Sequence, residues 1–162
     1  MKKKYIYCLI IVLILAFLDQ LTKFIVIRSF RLGETRIIIN NFLEFYYIKN
    51  TGASFGILSN QNISLILITI VLVLYILYEN YKSNQSILRL FSTSLIIGGA
   101  IGNLIDRVFR KYVIDFISFT LFNHEMAIFN LADMFICFGV LIYFYIIIME
   151  GKNERISNKE WR

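Results

Sequence analysis

Two aspartates stand in otherwise apolar stretches of the chain: Asp115 in VIDF and Asp133 in FNLAD. The second sits in a run apolar enough to cross a membrane, where burying a carboxylate costs about 2.5–3.5 kcal/mol. A residue carried at that cost is a functional-site candidate by default. The alternative is that Asn130 or Asp133 simply caps the start of a helix. Two carboxylates that share one proton can divide the work of hydrolysis. The ionised member takes a proton from water as the water attacks a carbonyl; the protonated member polarises that carbonyl and later helps the leaving amine depart. Low dielectric and like charge both raise one carboxyl pKa, and the shared proton belongs to the pair rather than to either residue. No serine–histidine or cysteine–histidine arrangement competes, and His124, the single histidine, lacks metal-ligand partners at useful spacing. The residues themselves point to an aspartic peptidase that uses no metal.

The elements that must position this pair are those of a membrane protein. The chain has 162 residues and is 58% hydrophobic, against about 45–50% in a soluble domain. Its formal net charge is +6, with basic residues scattered among apolar runs, a pattern suited to anionic lipid headgroups rather than nucleic acid. Cys8 and Cys137 lie deep in apolar segments and read as small hydrophobes, with no disulfide or metal pattern. Lys2–Lys4 followed by Tyr5–Leu18 resembles a secretory signal. No small-residue cleavage site follows, and the apolar character resumes through Ile27, so this is a retained first span. The expected spans are 5–27, 63–81, 87–109 and 126–149. Between the first two, the β-branched Arg36–Ile39, the turn candidate Asn40-Asn41 and the run FLEFYYIK predict a hairpin or small curved sheet at the membrane surface, over about 33–56. Asn50-Thr51-Gly52-Ala53 ends it, with Gly52 suited to a positive φ. Residues 110–125 read as a polar-aromatic loop and the tail from Glu150 as charged and frayed. The fold class is thus all-α integral membrane, four transmembrane helices with a small β-cradle, in one domain over 1–162.

Four spans place both termini on one side. Basic residues divide almost evenly between the two sides; the Lys2–Lys4 triplet, the short second loop and the basic tail favour cytoplasmic termini. The polar residues of the spans then fall near one level at the outer end. Asp19 and Lys23 are four apart on one helical face, as are Asn103 and Arg107. Asn130 and Asp133 are three apart, with Asp133 expected about six residues inside its span, roughly 9 Å down. Each pair has a structural alternative: an intrahelical ion pair for Asp19–Lys23, snorkelling for Arg107, interhelical hydrogen bonding for Asn103, and backbone packing for Gly98–Gly102.

In order along the chain, DQLTK (Asp19–Lys23), NTGASFG (Asn50–Gly56), GGAIGNLIDR (Gly98–Arg107), VIDF (Val113–Phe116) and FNLAD (Phe129–Asp133) resemble the motifs of the lipoprotein signal peptidase family, also called signal peptidase II. The resemblance covers nearly everything between the charged tails. It implies four spans with both termini cytoplasmic, an extracytoplasmic β-cradle, and an aspartic mechanism without metal or other cofactor. It also implies location in the bacterial cell membrane with the site near the outer face. The implied substrate is a prolipoprotein carrying diacylglyceryl on its lipobox cysteine, cut just before that cysteine to release the signal peptide. Asp115 and Asp133 match the catalytic dyad. Asp19, Lys23, Asn50, Gly52, Asn103, Arg107, Asn130 and Ala132 match positions that line or support the site. The implied partners are diacylglyceryl-prolipoproteins and membrane lipids, with no nucleic acid, and the enzyme is expected to act as a monomer. The chain departs from the family at Ala127, where proline is frequent, and at Met134, where a small residue is. The loop tryptophan is also missing, with Phe119 and Phe122 in its place. These departures touch loop shape and ligand contacts, not the catalytic positions.

Two other readings remain. A metal-dependent membrane phospholipid transferase would need aspartates clustered three or four apart, whereas Asp115 and Asp133 are eighteen positions apart. A proton-coupled carrier or scaffold would spread polar residues through the membrane depth, whereas the second and fourth spans are apolar toward the inner side.

Overall fold

The computed structural model describes residues 2–53, 57–82, 86–121 and 124–160, without the side chains of 2, 125 and 152–160. Four helices are long and apolar enough to cross a membrane. They are α1 (Lys2–Ser29), α2 (Asn62–Lys82), α3 (Ile87–Phe109) and α4 (Leu131–Glu160). The strands are β1 (Thr35–Ile39), β2 (Leu43–Asn50), β3 (Val113–Leu121) and β4 (His124–Glu125), antiparallel in the order β1-β2-β3-β4.

In lipid there is no hydrophobic drive to bring helices together, so association depends on small residues and polar contacts. That is why α3 is the hub. It packs against α1, α2 and α4, and 56% of its span is buried, against 6% for α2. Its glycines set the spacing. A Cβ on Gly99 would stand 2.3 Å from the Ala132 carbonyl oxygen of α4, one on Gly102 2.5 Å from Asp19 Oδ2 of α1, and one on Gly98 2.8 Å from Leu15 Cβ. The glycine cluster is a packing device, as expected, but two of its members pack directly on candidate site residues.

The predicted hairpin forms, β1 to β2, with Asn41 at φ 57 in its turn, a conformation asparagine tolerates better than most residues. The cradle is larger than 33–56, however. Residues 113–121 are not a loop but strand β3, paired with β2 from Leu43↔Phe119 to Asn50↔Val113. The register slips by one residue between Phe45 and Ile48, a bulge beside Asp115 of the kind that re-aims side chains. One face of β3, through Ile114 and Phe116, joins Val26 and Tyr47 in a small buried cluster. The other face, through Val113 and Asp115, lines a cavity. Gly52 does not take a positive φ; it is small for want of space, since a Cβ would lie 2.8 Å from the Ile57 carbonyl oxygen. Residues 54–56 of the NTGASFG motif and Phe122 lie outside the described residues.

The fourth span starts later than 126. Residues 126–130 run alongside β3: Met126 N–H donates to Phe119 O, Phe129 N–H to Ile117 O, and Phe129 O accepts from Phe116 and Ile117. The helix begins at Leu131 and continues through the charged tail to Glu160, so helical structure does not end at Glu150. Cys137 is exposed on the outer surface of α4 rather than packed inside, and Cys8 is half-buried; both are free.

Candidate active site

The late start of α4 puts Asp133 at the third helical position rather than about two turns inside. Asn130 Oδ1 accepts from the Asp133 N–H at 3.0 Å, and Asp133 Oδ2 accepts from the Asn130 N–H at 3.2 Å. This reciprocal pair is a capping box built from asparagine and aspartate. Capping and site placement are therefore one arrangement, because the cap fixes where the carboxylate points.

Asp115 reaches the same cavity from β3. The cavity has a volume of about 500 Å³, and Asp115, Asp133, Asn50, Asn103 and Arg107 supply its polar wall. Three asparagines orient the carboxylates. Asn50 Oδ1 accepts from Gly52 N–H at 2.8 Å, which turns its amide NH₂ toward Asp115 Oδ2 at 2.8 Å. Asn103 Oδ1 accepts from Lys23 Nζ at 2.9 Å and from Asn130 Nδ2 at 3.1 Å, leaving its own NH₂ to donate to Asp133 Oδ1 at 2.8 Å. Asn130 also donates to Asp115 Oδ1 at 2.6 Å, so this one side chain touches both halves of the site. In each case the amide oxygen faces a group that can only donate, which fixes the amide's direction. Three of the four carboxylate oxygens accept one such bond, Asp133 Oδ2 accepts the Asn130 backbone N–H instead, and each keeps acceptor capacity toward the cavity.

Arg107 does not snorkel. Its Nη2 donates to Gly52 O at 3.0 Å, its own carbonyl accepts from Asn62 at 3.0 Å, and its charge acts on both aspartates. Asp19 and Lys23 are buried and form the expected pair at 2.8 Å, but neither acts only within its helix. Asp19 Oδ1 accepts from Ala132 N–H at 3.0 Å, and Lys23 bonds to Asn103. Every predicted site residue is thus in or directly behind one cavity wall.

The family model described as Signal peptidase (SPase) II matches residues 11–149. The chain belongs to the signal peptidase II family. The lipoprotein signal peptidase of Bacillus pumilus is 38% identical over 149 residues, covering 91% of this chain and 96% of that one. That of Caldanaerobacter subterraneus subsp. tengcongensis is 39% identical over 143 residues, covering 88% and 97%. A bacterial membrane enzyme solved by the in meso method at 2.3 Å resolution superposes with a TM-score of 0.86 at 31% identity, covering 91% of this chain and 90% of that one. A second, solved at 1.9 Å, superposes with a TM-score of 0.79 at 32% identity. The protein is a multi-pass cell-membrane peptidase of the signal peptidase II family.

Sequence reasoning passed over three members of this signal peptidase II site. Asp106 is fully buried and meets Lys23 at 3.1 Å, Arg110 at 2.5 Å and Gln20 Nε2 at 3.1 Å. Its Oδ2 also accepts the backbone N–H of Ile114 at 3.1 Å, so it ties α3 to the strand residue just before Asp115. Gln20 and Arg110 complete the cluster through a 2.9 Å bond. The signal for Asp106 in the sequence is an ionisable residue within a span, beside the four-residue spacing of Asn103 and Arg107. Among the described residues, no group of three or more His, Cys, Asp or Glu could hold a metal ion.

Burial, and next the charge of Asp133, push Asp115 up to about 6 from an ordinary 3.8, against hydrogen bonds from Asn50 and Asn130 that hold it down. Between those values the folded state keeps a proton that the unfolded chain has released, so stability falls as pH rises through this window. Asp115→Asn removes the titration. From pH 4 to pH 7 the difference in unfolding free energy between variant and wild type is expected to move in the variant's favour by roughly 2 kcal/mol. Unfolding midpoints in detergent across that range measure it, and parallel curves would refute it.

Proposed function

We propose that the protein is an aspartic endopeptidase that removes the signal peptide from diacylglyceryl-modified prolipoproteins, cutting just before the lipidated cysteine. The observation that carries the reading is the pair of oriented carboxylates, Asp115 and Asp133, facing one cavity from a strand and a helix start. In the proposed reaction the dyad shares one proton. Its ionised member takes a proton from the attacking water, and its protonated member polarises the scissile carbonyl, then protonates the leaving amine. Asn50, Asn103 and Asn130 aim the carboxylates; Asp19, Lys23 and Ala132 hold the framework behind them; Arg107 and Gly52 shape the wall near the cradle. No step calls for a metal or other cofactor, and the whole chain acts as one membrane-embedded unit, as a monomer.

The relatives' names supply the substrate class, and the cavity's shape supports it. Below the carboxylates its walls become apolar, with Leu72, Ile76, Ile96 and Val140 from α2, α3 and α4. A lipidated peptide at the bilayer boundary could place its apolar part there and its scissile bond at the dyad. With both termini cytoplasmic, the dyad and cradle lie at the extracytoplasmic face.

The test is reconstitution with a prolipoprotein in lipidated and unlipidated forms. Acyl chains that anchor the bond contribute binding energy used to orient it, so kcat/KM for the unlipidated form is expected to be at least about 100-fold lower. Equal rates for the two forms would overturn the substrate assignment. Cleavage abolished by a chelator would overturn the metal-free mechanism.

A further inference from the structure

The helix least embedded in the bundle is α2, with 6% of its span buried, and side chains pin it to α3 at both ends. At the outer end Asn62 Nδ2 donates to Arg107 O at 3.0 Å. At the inner end Asn80 Nδ2 donates to Thr93 Oγ1 at 2.9 Å, and Asn80 O accepts from the Tyr5 hydroxyl of α1 at 3.2 Å. Between the pins, the cavity of the two carboxylates continues inward as a groove. Its walls there are the half-buried Val73 and Ile76 of α2, Ile96 and Ala100 of α3, and Ile136 of α4. Leu72 and Val140, both exposed, stand at its rim, because α2 and α4 each pack along α3 and not along one another. Asn80 follows Ile76 by four residues and Thr93 precedes Ile96 by three, so their bond lies on the same helical stripes and closes the groove's inner end.

Width and polarity decide what fits. The volume of about 500 Å³ is spread over roughly 16 Å, the rise from Arg107 to Ile96 on α3, which leaves a mean section of about 30 Å². An α-helix, 10–12 Å across, needs about 80–110 Å², so the apolar helix of a signal peptide does not enter. Extended peptide is excluded too. Apart from the five polar groups around the dyad, the one polar side chain among the described lining residues is Thr69, and its hydroxyl donates to Leu65 O at 2.8 Å. Backbone N–H and C=O groups would find no partners inward of the carboxylates. An extended hydrocarbon chain needs no partner and, at roughly 4–5 Å wide, takes about 20 Å². One fits; two do not. We propose that the groove is an acyl-chain subsite that takes one of the two chains of the diacylglyceryl group, while the other chain and the signal peptide's apolar helix stay in lipid outside the α2–α4 opening. This rests on reading the dyad as the site of prolipoprotein cleavage. The subsite has a fixed length. From Asn103, level with the dyad, to Ile96 the rise is about 10 Å, and an extended chain advances about 1.2 Å per bond. Ile76 and Ile96 therefore meet the chain about eight to nine carbons in, and they determine which chains fit. A longer chain turns out past Leu72 and Val140.

The test uses full-length protein in lipid nanodiscs and two synthetic lipobox peptides of one sequence, whose cysteine carries dibutyryl or dimyristoyl glyceryl. A butyryl chain ends short of Ile76 and a myristoyl chain passes it. In Ile76→Trp, which fills the inner groove, kcat/KM for the dimyristoyl peptide is expected to fall at least about tenfold further than that for the dibutyryl peptide, the cost of overpacking a filled site. Comparing the ratio of the two peptides between variant and wild type cancels their different partition into lipid. Ile76→Phe should shift the ratio less, in the same direction. Leu74→Trp, on the lipid-facing side of α2 at 59% exposure, should leave it unchanged. Because so little of α2 is buried, these substitutions remove little packing. An unchanged ratio in Ile76→Trp would overturn the subsite. So would an equal loss for both peptides that follows the length of their apolar segment, which would place the signal peptide in the groove. Wild-type protein that cuts neither peptide before its cysteine would overturn the substrate reading itself, and the subsite with it.

Discussion

Asp115→Asn and Asp133→Asn are each expected to lower cleavage of a lipidated prolipoprotein by at least about 10³-fold while leaving the protein folded. Asparagine keeps the size of the side chain but cannot take a proton from water or give one to an amine. The structural cost is limited to one hydrogen bond per variant. Each Asp115 oxygen accepts from an asparagine amide, and each Asp133 oxygen from Asn103 or the Asn130 backbone. A new NH₂ must therefore face one donor, at about 1–3 kcal/mol. Activity should fall far more than stability in both variants, and the two losses should not multiply in the double variant, since either half alone disables a shared-proton mechanism. Single-turnover cleavage in proteoliposomes, beside unfolding midpoints of the same preparations, separates the two effects. A variant that keeps more than about a tenth of the wild-type rate would remove its aspartate from the dyad.

Asp106→Asn is the instructive control. Asp106 is also a buried carboxylate beside cations, but it does not line the cavity, and both its oxygens are engaged by Lys23, Arg110, Gln20 and the Ile114 N–H. It holds Asp115's strand in place. Its loss is expected to appear first in stability, with activity falling in proportion to the unfolded fraction.

The boundaries of α1, α2 and α3 were legible in the sequence because length and hydropathy define a span, and the β1–β2 hairpin because β-branched runs flank an Asn-Asn turn. Strand β3 was not. Val113, Ile114, Asp115 and Phe116 are all buried, so no alternation of polar and apolar residues marks the strand. Its partner β2 is more than sixty residues away in the chain. The start of α4 is hidden in the sequence because Met126, Ala127, Ile128 and Phe129 extend the apolar run in front of it, although none of them enters the helix and Met126 and Phe129 bond to β3. The signal that corrects the boundary is Asn130-x-x-Asp133, a capping box. Capping is not an alternative to a site role at Asp133 but the means of placing its carboxylate. The convergence of Asp19, Lys23, Asn103 and Asn130 followed from three- and four-residue spacing. Their actual bonds did not, because the sequence carries no record of which helix faces which.

Lys23→Met is expected to cost about 3–5 kcal/mol of stability, the largest loss from any single side chain behind the site. Lys23 is wholly buried, and its ammonium group meets Asp19 at 2.8 Å, Asp106 at 3.1 Å and Asn103 Oδ1 at 2.9 Å. Removing it leaves two carboxylates in low dielectric with unequal support. Asp106 keeps Arg110, whereas Asp19 keeps only neutral donors, the Ala132 N–H and Gln20. The penalty should therefore fall mainly on Asp19, and Asp19→Asn in the same chain should recover a substantial part of it. The double variant is expected to lose clearly less than the sum of the single losses, a coupling of about 1–3 kcal/mol. Asn103 gives a second readout. Without the lysine its oxygen keeps only the Asn130 contact, so its amide direction toward Asp133 is less firmly fixed, and kcat should fall even at temperatures where the variant is fully folded. Chemical unfolding in micelles of wild type, both single variants and the double variant closes the cycle. Additive losses would show that Asp19 does not depend on Lys23, and a Lys23→Met loss below about 1 kcal/mol would show that the buried charges are solvated by other means.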